Sequence, residues 1–105
     1  MPNYLLAYHG GGMPESEEEQ ARVMAAWEKW YGVLGAAVVD PGNPVGQART
    51  VGSGGLVADG GGANPVSGYT VLKADSLDAA VSMAKGCPIL GAGGSIEVCE
   101  TIETM

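Results

Sequence analysis

The sequence has no phenylalanine, a single histidine and only two cysteines among its 105 residues. Two cysteines, Cys87 and Cys99, do not form the kind of disulfide framework that stabilises small secreted domains. One histidine with two distant cysteines matches no zinc-binding spacing, and the scattered carboxylates form no calcium loop. We therefore expect neither a metal site nor a cofactor.

Basic residues are also scarce, and no hydrophobic run is long. Five Lys and Arg oppose twelve Asp and Glu, which gives a formal net charge of -7. Such a chain repels nucleic acid and anionic membrane surfaces, so neither is expected as a partner. The longest apolar run, residues 33–39, is far shorter than the roughly 20 residues of a membrane span, and the N-terminus lacks the basic start of a signal peptide. A cytoplasmic location is the resulting expectation.

Glycine and apolar residues are what the sequence has in abundance. Apolar residues make up 46% of the chain, and 18 residues are glycine. The length and this apolar content predict one domain over residues 1–105 with a modest core. Frequent glycines predict many tight turns, but none of the glycine clusters has the spacing of a nucleotide-binding loop.

The first part of the chain predicts a strand followed by a long helix. Residues 3–8 are short, apolar and rich in Tyr and Leu, as is typical of an interior strand. Ser16 and Glu19 have the spacing of a capping box, so we predict a helix over residues 15–34 that ends at Gly35. Its apolar stripe consists of Val23, Met24, Trp27, Trp30, Tyr31 and Leu34.

The remaining chain predicts five further strand segments, one more helix and two loops. The predicted elements are a strand at 36–40, a hairpin with arms at 47–51 and 56–58, a loop at 59–66, a strand at 67–73, a helix from Asp75 to Gly86, a loop to residue 94 and a strand at 95–102. This order predicts an α+β fold with an antiparallel sheet and two helices on one face.

Two helices can cover only one face of such a sheet. The opposite face must then be buried by something else, and an identical subunit is the simplest partner. We therefore expect a homodimer in which two sheets pack face to face.

His9 is the first candidate for chemistry. It lies where the first strand gives way to a glycine loop, a position from which functional groups often emerge. As a general acid or base it needs a partner, and Asp59 in the long loop is the candidate. The alternatives are a histidine that bonds local backbone and an Asp59-Gly60 pair that simply forms a turn.

Tyr4, Tyr8 and Tyr69 are candidates for ligand binding, because they are expected on adjacent strands. A tyrosine has an apolar ring and a polar hydroxyl, which suits a ligand cavity and a dimer interface equally well. Glu97 lies on the opposite face of the last strand from Glu100, so these two cannot act as a carboxylate pair. Glu97 alone could line an interior, although an exposed position near a sheet edge is the alternative.

The chain resembles the DGPF branch of the YCII-related family over essentially its whole length. The residues that carry the resemblance are Tyr4-Leu5-Leu6-Ala7-Tyr8, the acidic helix with its tryptophans, Asp59-Gly60, Gly68-Tyr69, Asp75-Ser76-Leu77-Asp78-Ala79-Ala80, Cys87-Pro88 and Gly94-Ser95-Ile96-Glu97-Val98. Where the family carries Pro-Phe after Asp-Gly, this chain has Gly61-Gly62, and the following stretch is shortened to residues 63–66.

The resemblance implies a ferredoxin-like fold and a dimeric α/β barrel. It implies little chemistry, because many members of the family have no assigned activity. We expect a homodimer that binds a small organic molecule between the sheet and its partner. The alternatives are a small cofactor-free lyase or isomerase that uses His9, and an interaction module linked to transcription regulation, since family members are often encoded beside alternative sigma factors.

Overall fold

A four-stranded antiparallel sheet carries two helices in the computed structural model, which describes residues 1–12 and 14–103. The elements are β1 (Asn3–His9), α1 (Glu17–Leu34), β2 (Val38–Asp40), β3 (Arg49–Val51), β4 (Val57–Asp59), β5 (Val66–Lys73), α2 (Leu77–Ala84) and β6 (Ser95–Glu100). The sheet order is β2-β5-β1-β6, and β3 pairs with β4 separately. The predicted α+β class is confirmed, and the arrangement is compatible with a ferredoxin-like fold.

Helix α1 begins and ends where its local signals predict. The Ser16 hydroxyl accepts a hydrogen bond from the backbone N–H of Glu19 at 3.1 Å, so the helix starts at Glu17 rather than at residue 15. Three glutamates occupy the first turn, where they face the positive end of the helix dipole. Gly35 ends the helix with a φ of 54°, which glycine adopts readily. Neither α1 nor the other helix in residues 1–12 and 14–103 is long and apolar enough to cross a membrane.

The start of helix α2 differs from the prediction by one residue. Its N-cap is Ser76, not Asp75, because Ser76 has extended backbone angles and its hydroxyl accepts from the N–H of Ala79 at 3.1 Å. The segment after α2, predicted as a loop, contains a 3-10 helix at Pro88–Ala92. Pro88 fits the first turn of that helix because the N–H that proline lacks has no partner there.

The core lies between the sheet and both helices. Tyr4, Leu6 and Leu72 are 0–1% exposed, and they pack in one cluster with Trp30 of α1 and Ala80 of α2. The helices also contact each other directly, since the Trp30 indole N–H donates to the carbonyl of Met83 at 3.0 Å. Both helices therefore cover the same face of the sheet. Only the later part of the α1 stripe packs against this cluster, because Val23 and Met24 are 37% and 57% exposed.

The other face of the sheet is formed by the alternate residues of β1, β5 and β6. The register pairs Ala7 with both Tyr69 and Glu97, and Leu5 with both Val71 and Cys99. Since successive residues of a strand point to opposite faces, these side chains lie together on the face away from the helices. We call this surface the open face. No helix among the described residues packs over it.

The β2–β5 pair continues beyond the end of the sheet as a two-stranded ribbon. Pro44 bridges to Gly68, and the chain then runs into β3 and returns through β4. The turn between them is closed by hydrogen bonds among Gly52, Gly55 and Leu56. The predicted hairpin is therefore present, with arms of three residues each. We call residues 49–59 the arm.

Candidate active site

His9 lies at the end of β1 and is 8% exposed. The register shifts between Tyr8 and His9, and the chain before β5 folds over the ring. The Nδ1 atom is 3.1 Å from the carbonyl oxygen of Asn64 and 3.2 Å from that of Pro65. Carbonyl oxygens only accept hydrogen bonds, so Nδ1 carries a proton, and Nε2 is the atom left for exchange.

Glu97 provides the contact to the second ring nitrogen. Its Oε1 atom lies 3.3 Å from His9 Nε2, and its side chain is 66% exposed. With a proton on Nδ1, a hydrogen bond between Nε2 and Oε1 requires a further proton between these two atoms. Either the imidazole accepts from a carboxylic acid, or the imidazolium donates to a carboxylate. The two side chains therefore form a unit that can hold and move one proton.

Asp59 does not take the role predicted for it. Its carboxylate accepts a 2.7 Å hydrogen bond from the guanidinium of Arg49, which lies directly opposite in the β3–β4 pair. Cross-strand neighbours of opposite charge pair in this way, and both side chains are exposed. The His9–Asp59 pairing is therefore wrong, and Glu97 occupies the place beside the ring.

Tyr4 and Tyr8 are also corrected, because they lie on the helix-covered face. They are 1% and 4% exposed, and the Tyr8 hydroxyl donates to Thr70 Oγ1 at 2.6 Å. Residues of even number in β1 point toward the helices, whereas His9 lies on the opposite face. Of the three tyrosines predicted to bind a ligand, only Tyr69 shares the open face with His9 and Glu97.

Two polar groups of the open face were missed by the sequence analysis. The Cys99 thiol donates to Glu97 Oε2 at 3.8 Å, so that one carboxylate contacts both Cys99 and His9. Ser67 alternates with Tyr69 along β5, and its buried hydroxyl has no hydrogen-bond partner among the described residues. Cys99 could have been found from the sequence, because residues 97 and 99 alternate along one strand and so lie on the same face.

A separate polar cluster lies between the sheet and α1. Thr70 Oγ1 accepts from Tyr8 and donates to the carbonyl of Pro41 at 2.9 Å, and the Tyr31 hydroxyl donates to the same carbonyl at 3.1 Å. Burial raises the pKa of the Tyr8 and Tyr31 phenols, while the hydroxyl of Thr70 partly offsets this. Burial likewise raises the pKa of the Cys87 thiol. These groups stay protonated at neutral pH and stabilise the core.

Two cavities in the described part of the chain have no lining from His9. One of about 140 Å³ lies between α2 and β6, lined by residues that include Val81 and Val98. Another of about 380 Å³ lies beside the start of α2 and is lined in part by Lys73 and Met83. Among residues 1–12 and 14–103, no three His, Cys, Asp or Glu side chains converge as a metal site. The open face is thus a surface, and it needs a second layer to become a cavity.

Comparison with protein-family models and with curated proteins finds no match for this chain.

Proposed function

We propose that the chain binds a small organic molecule on its open face, in a cavity that a second copy of the chain closes. The observation that carries the proposal is the His9–Glu97 contact of 3.3 Å on a sheet surface that also carries apolar side chains. Leu5, Ala7 and Val71 supply apolar contact area there. A few polar groups on an apolar surface are the usual composition of a site for a small molecule.

The need for a second copy is supported by the surface area of the chain. Its accessible surface is 7236 Å², whereas a folded monomer of 10.6 kDa is expected to expose about 5,500 Å². The excess is about twice the roughly 800 Å² that each partner buries in a standard interface. The open face is part of this excess, because it has apolar side chains and no helix over it.

A ligand screen followed by thermal unfolding tests the binding proposal. The probes are neutral and monoanionic aromatic and carbonyl compounds, which match an apolar face with one proton-exchanging pair. A ligand at 100 times its Kd stabilises the folded state by about 2.7 kcal/mol, which raises the melting temperature by about 10–20 °C.

The matched pair of variants for this screen is Glu97→Gln and Glu28→Gln. Both changes convert a carboxylate to an amide, but Glu28 lies on the exposed side of α1, far from β6 in sequence. We expect Glu97→Gln to reduce the shift of any bound probe and Glu28→Gln to leave it unchanged. The binding proposal is overturned if no probe shifts the wild-type protein, or if both variants respond as the wild type does.

The same contact favours proton transfer as a second candidate function. His9 Nε2 exchanges a proton with a substrate that displaces the exposed Glu97 side chain from this nitrogen, and the nearby carboxylate then stabilises the charged form of the ring. The two backbone carbonyls at Nδ1 hold the ring in place. Removing a proton next to a carbonyl group is the simplest reaction that this arrangement supports, and it is a step of many lyases and isomerases.

Exchange of carbon-bound protons in deuterium oxide, followed by NMR, tests this second function. With acetylacetone and related ketones as probes, His9→Gln should lower the exchange rate by about 10²-fold or more. Glu97→Gln should shift the pH profile, whereas Asp59→Asn should leave rate and profile unchanged. An unchanged rate in His9→Gln removes His9 from the chemistry.

We also propose kinship with the DGPF branch of the YCII-related family and, with it, the dimeric α/β barrel. The order of strands and helices and the position of Asp59-Gly60 after the hairpin support this proposal. A crystal structure with two sheets packed face to face would test both parts of it.

A further inference from the structure

The arm projects from the body of the protein with nothing packed on it. Every residue from 49 to 59 is exposed. The radius of gyration is 15.1 Å, compared with about 13 Å for a compact domain of this length. An isolated two-stranded ribbon is marginally stable in water, so an arm of this kind needs a surface to pack against.

One face of the arm is apolar at its tip and charged at its base. Val51 and Val57 lie directly opposite each other and are 68% and 60% exposed, and Leu56 in the turn is 84% exposed. Arg49 and Asp59 lie two residues away along each strand, so they share the face of the valine pair. The arm therefore presents one apolar pair and one ion pair on a single surface.

The charge distribution favours a second copy of the chain as the partner of this surface. Between residues 41 and 72 the only charged side chains are Arg49 and Asp59, so the segment is neutral in a chain of net charge -7. Two such chains repel each other elsewhere, and the neutral arm is where they can approach without that cost. A strongly basic or acidic partner would find no net charge to pair with here.

The size of the open face is an independent reason to place the arm in the contact with a second copy. The four strands contain 24 residues, which at about 3.3 Å per residue and about 4.8 Å between strands cover only about 380 Å². A standard interface buries about 800 Å² per partner, so the open face alone falls short. Further apolar surface is needed, and the exposed arm is adjacent to the same sheet in the chain.

We propose that the arm packs on a second copy of the chain and forms the other part of the dimer interface. Under two-fold symmetry the arm of each copy contacts the same surface of the other copy, so the contact is made twice in one dimer. This inference rests on the proposed dimer and adds which residues, besides the open face, hold it together.

Sedimentation over a range of concentrations, from nanomolar to 100 micromolar, tests the proposal on the full chain. The arm variant is the double change Val51→Thr and Val57→Thr, which keeps a β-branched shape and high strand propensity. The matched control is Val33→Thr, which alters an equally exposed valine (77%) on α1. We expect the arm variant to raise the dimer Kd at least tenfold and the control to leave it within twofold.

A third variant separates this inference from the proposed function. Val71→Asp places a charge on the open face, and we expect it to abolish the dimer. If Val71→Asp gives monomers but the arm variant has the wild-type Kd, the role of the arm is wrong and the proposed dimer stands. If the wild type is a monomer at 100 micromolar, both the arm contact and the closed cavity are overturned.

Discussion

Removing the buried hydroxyl of Tyr8 should make the protein less sensitive to alkali. Tyr8 is 4% exposed and burial raises its pKa above the ordinary value of 10.0, at which the unfolded chain titrates. Above pH 10 the folded state keeps a proton that the unfolded state has lost. The free energy of unfolding therefore falls by about 1.4 kcal/mol per pH unit for this one group, and the contribution is fully present only below pH 10.

Tyr31 and Cys87 add to the same loss, because burial raises their pKa values as well. The unfolded thiol titrates near 9.0, so the decline begins about one pH unit earlier than for the tyrosines. Both groups therefore make the alkaline decline of the wild type steeper than the loss from Tyr8 alone.

The Tyr8→Phe variant gives the decisive comparison. At pH 8 it lacks the hydrogen bond to Thr70 and should be about 1 kcal/mol less stable than the wild type. Above pH 10 its stability should fall about 1.4 kcal/mol per pH unit more slowly, so the two curves meet near pH 11. The assay is denaturant unfolding from pH 8 to pH 11, followed by tryptophan fluorescence at a fixed chain concentration.

Thr70→Val is the control, because it removes the same hydrogen bond but leaves the phenol buried. It should be destabilised at pH 8 and still show the wild-type alkaline slope. Equal slopes in Tyr8→Phe and the wild type would refute the reasoning, since the phenol would then titrate alike in the folded and unfolded chains.

Two further predictions concern a glycine and a cysteine. Gly42 has a φ of +70°, and a Cβ there would lie 1.8 Å from the carbonyl oxygen of Tyr69. Gly42→Ala should therefore fail to fold or melt at least 10 °C lower than the wild type. Gly46 has open space around it, so the control Gly46→Ala should melt within 2 °C of the wild type. A Gly42→Ala protein with the wild-type melting temperature would contradict the backbone contact. Cys87 is 3% exposed and its thiol pKa is raised by burial, so iodoacetamide should leave it unmodified in the folded protein and alkylate it in urea, as peptide mass spectrometry can measure. Rapid modification of folded Cys87 would contradict its burial.

The elements that could be predicted from the sequence are those with local signals. Ser16 and Glu19 determine where α1 begins, and Gly35 where it ends, because caps act over three or four residues. The hairpin before Asp59 follows from a short glycine-rich turn between two apolar segments. The N-cap of α2 was predicted at Asp75 but is Ser76, because the two residues are adjacent and either side chain can cap a helix.

The partner of His9 could not be found in this way, because it depends on pairing between the two ends of the chain. Glu97 lies 88 residues from His9 and reaches it only through the β1–β6 register. The prediction that Tyr8 contacts a ligand, in contrast, could have been avoided. Tyr8 and His9 are neighbours in a strand, so they must point to opposite faces, and that parity alone places Tyr8 away from any site that includes His9.

The position of the candidate site also connects binding with assembly. His9 and Glu97 lie on the face that the second copy is proposed to cover, so a molecule bound there contacts both chains or the interface between them. If the dimer binds such a molecule more tightly than the monomer does, the molecule must strengthen the dimer by the same factor, because the two equilibria share one thermodynamic cycle. On this proposal, one association event forms both the ligand site and the second layer over the sheet.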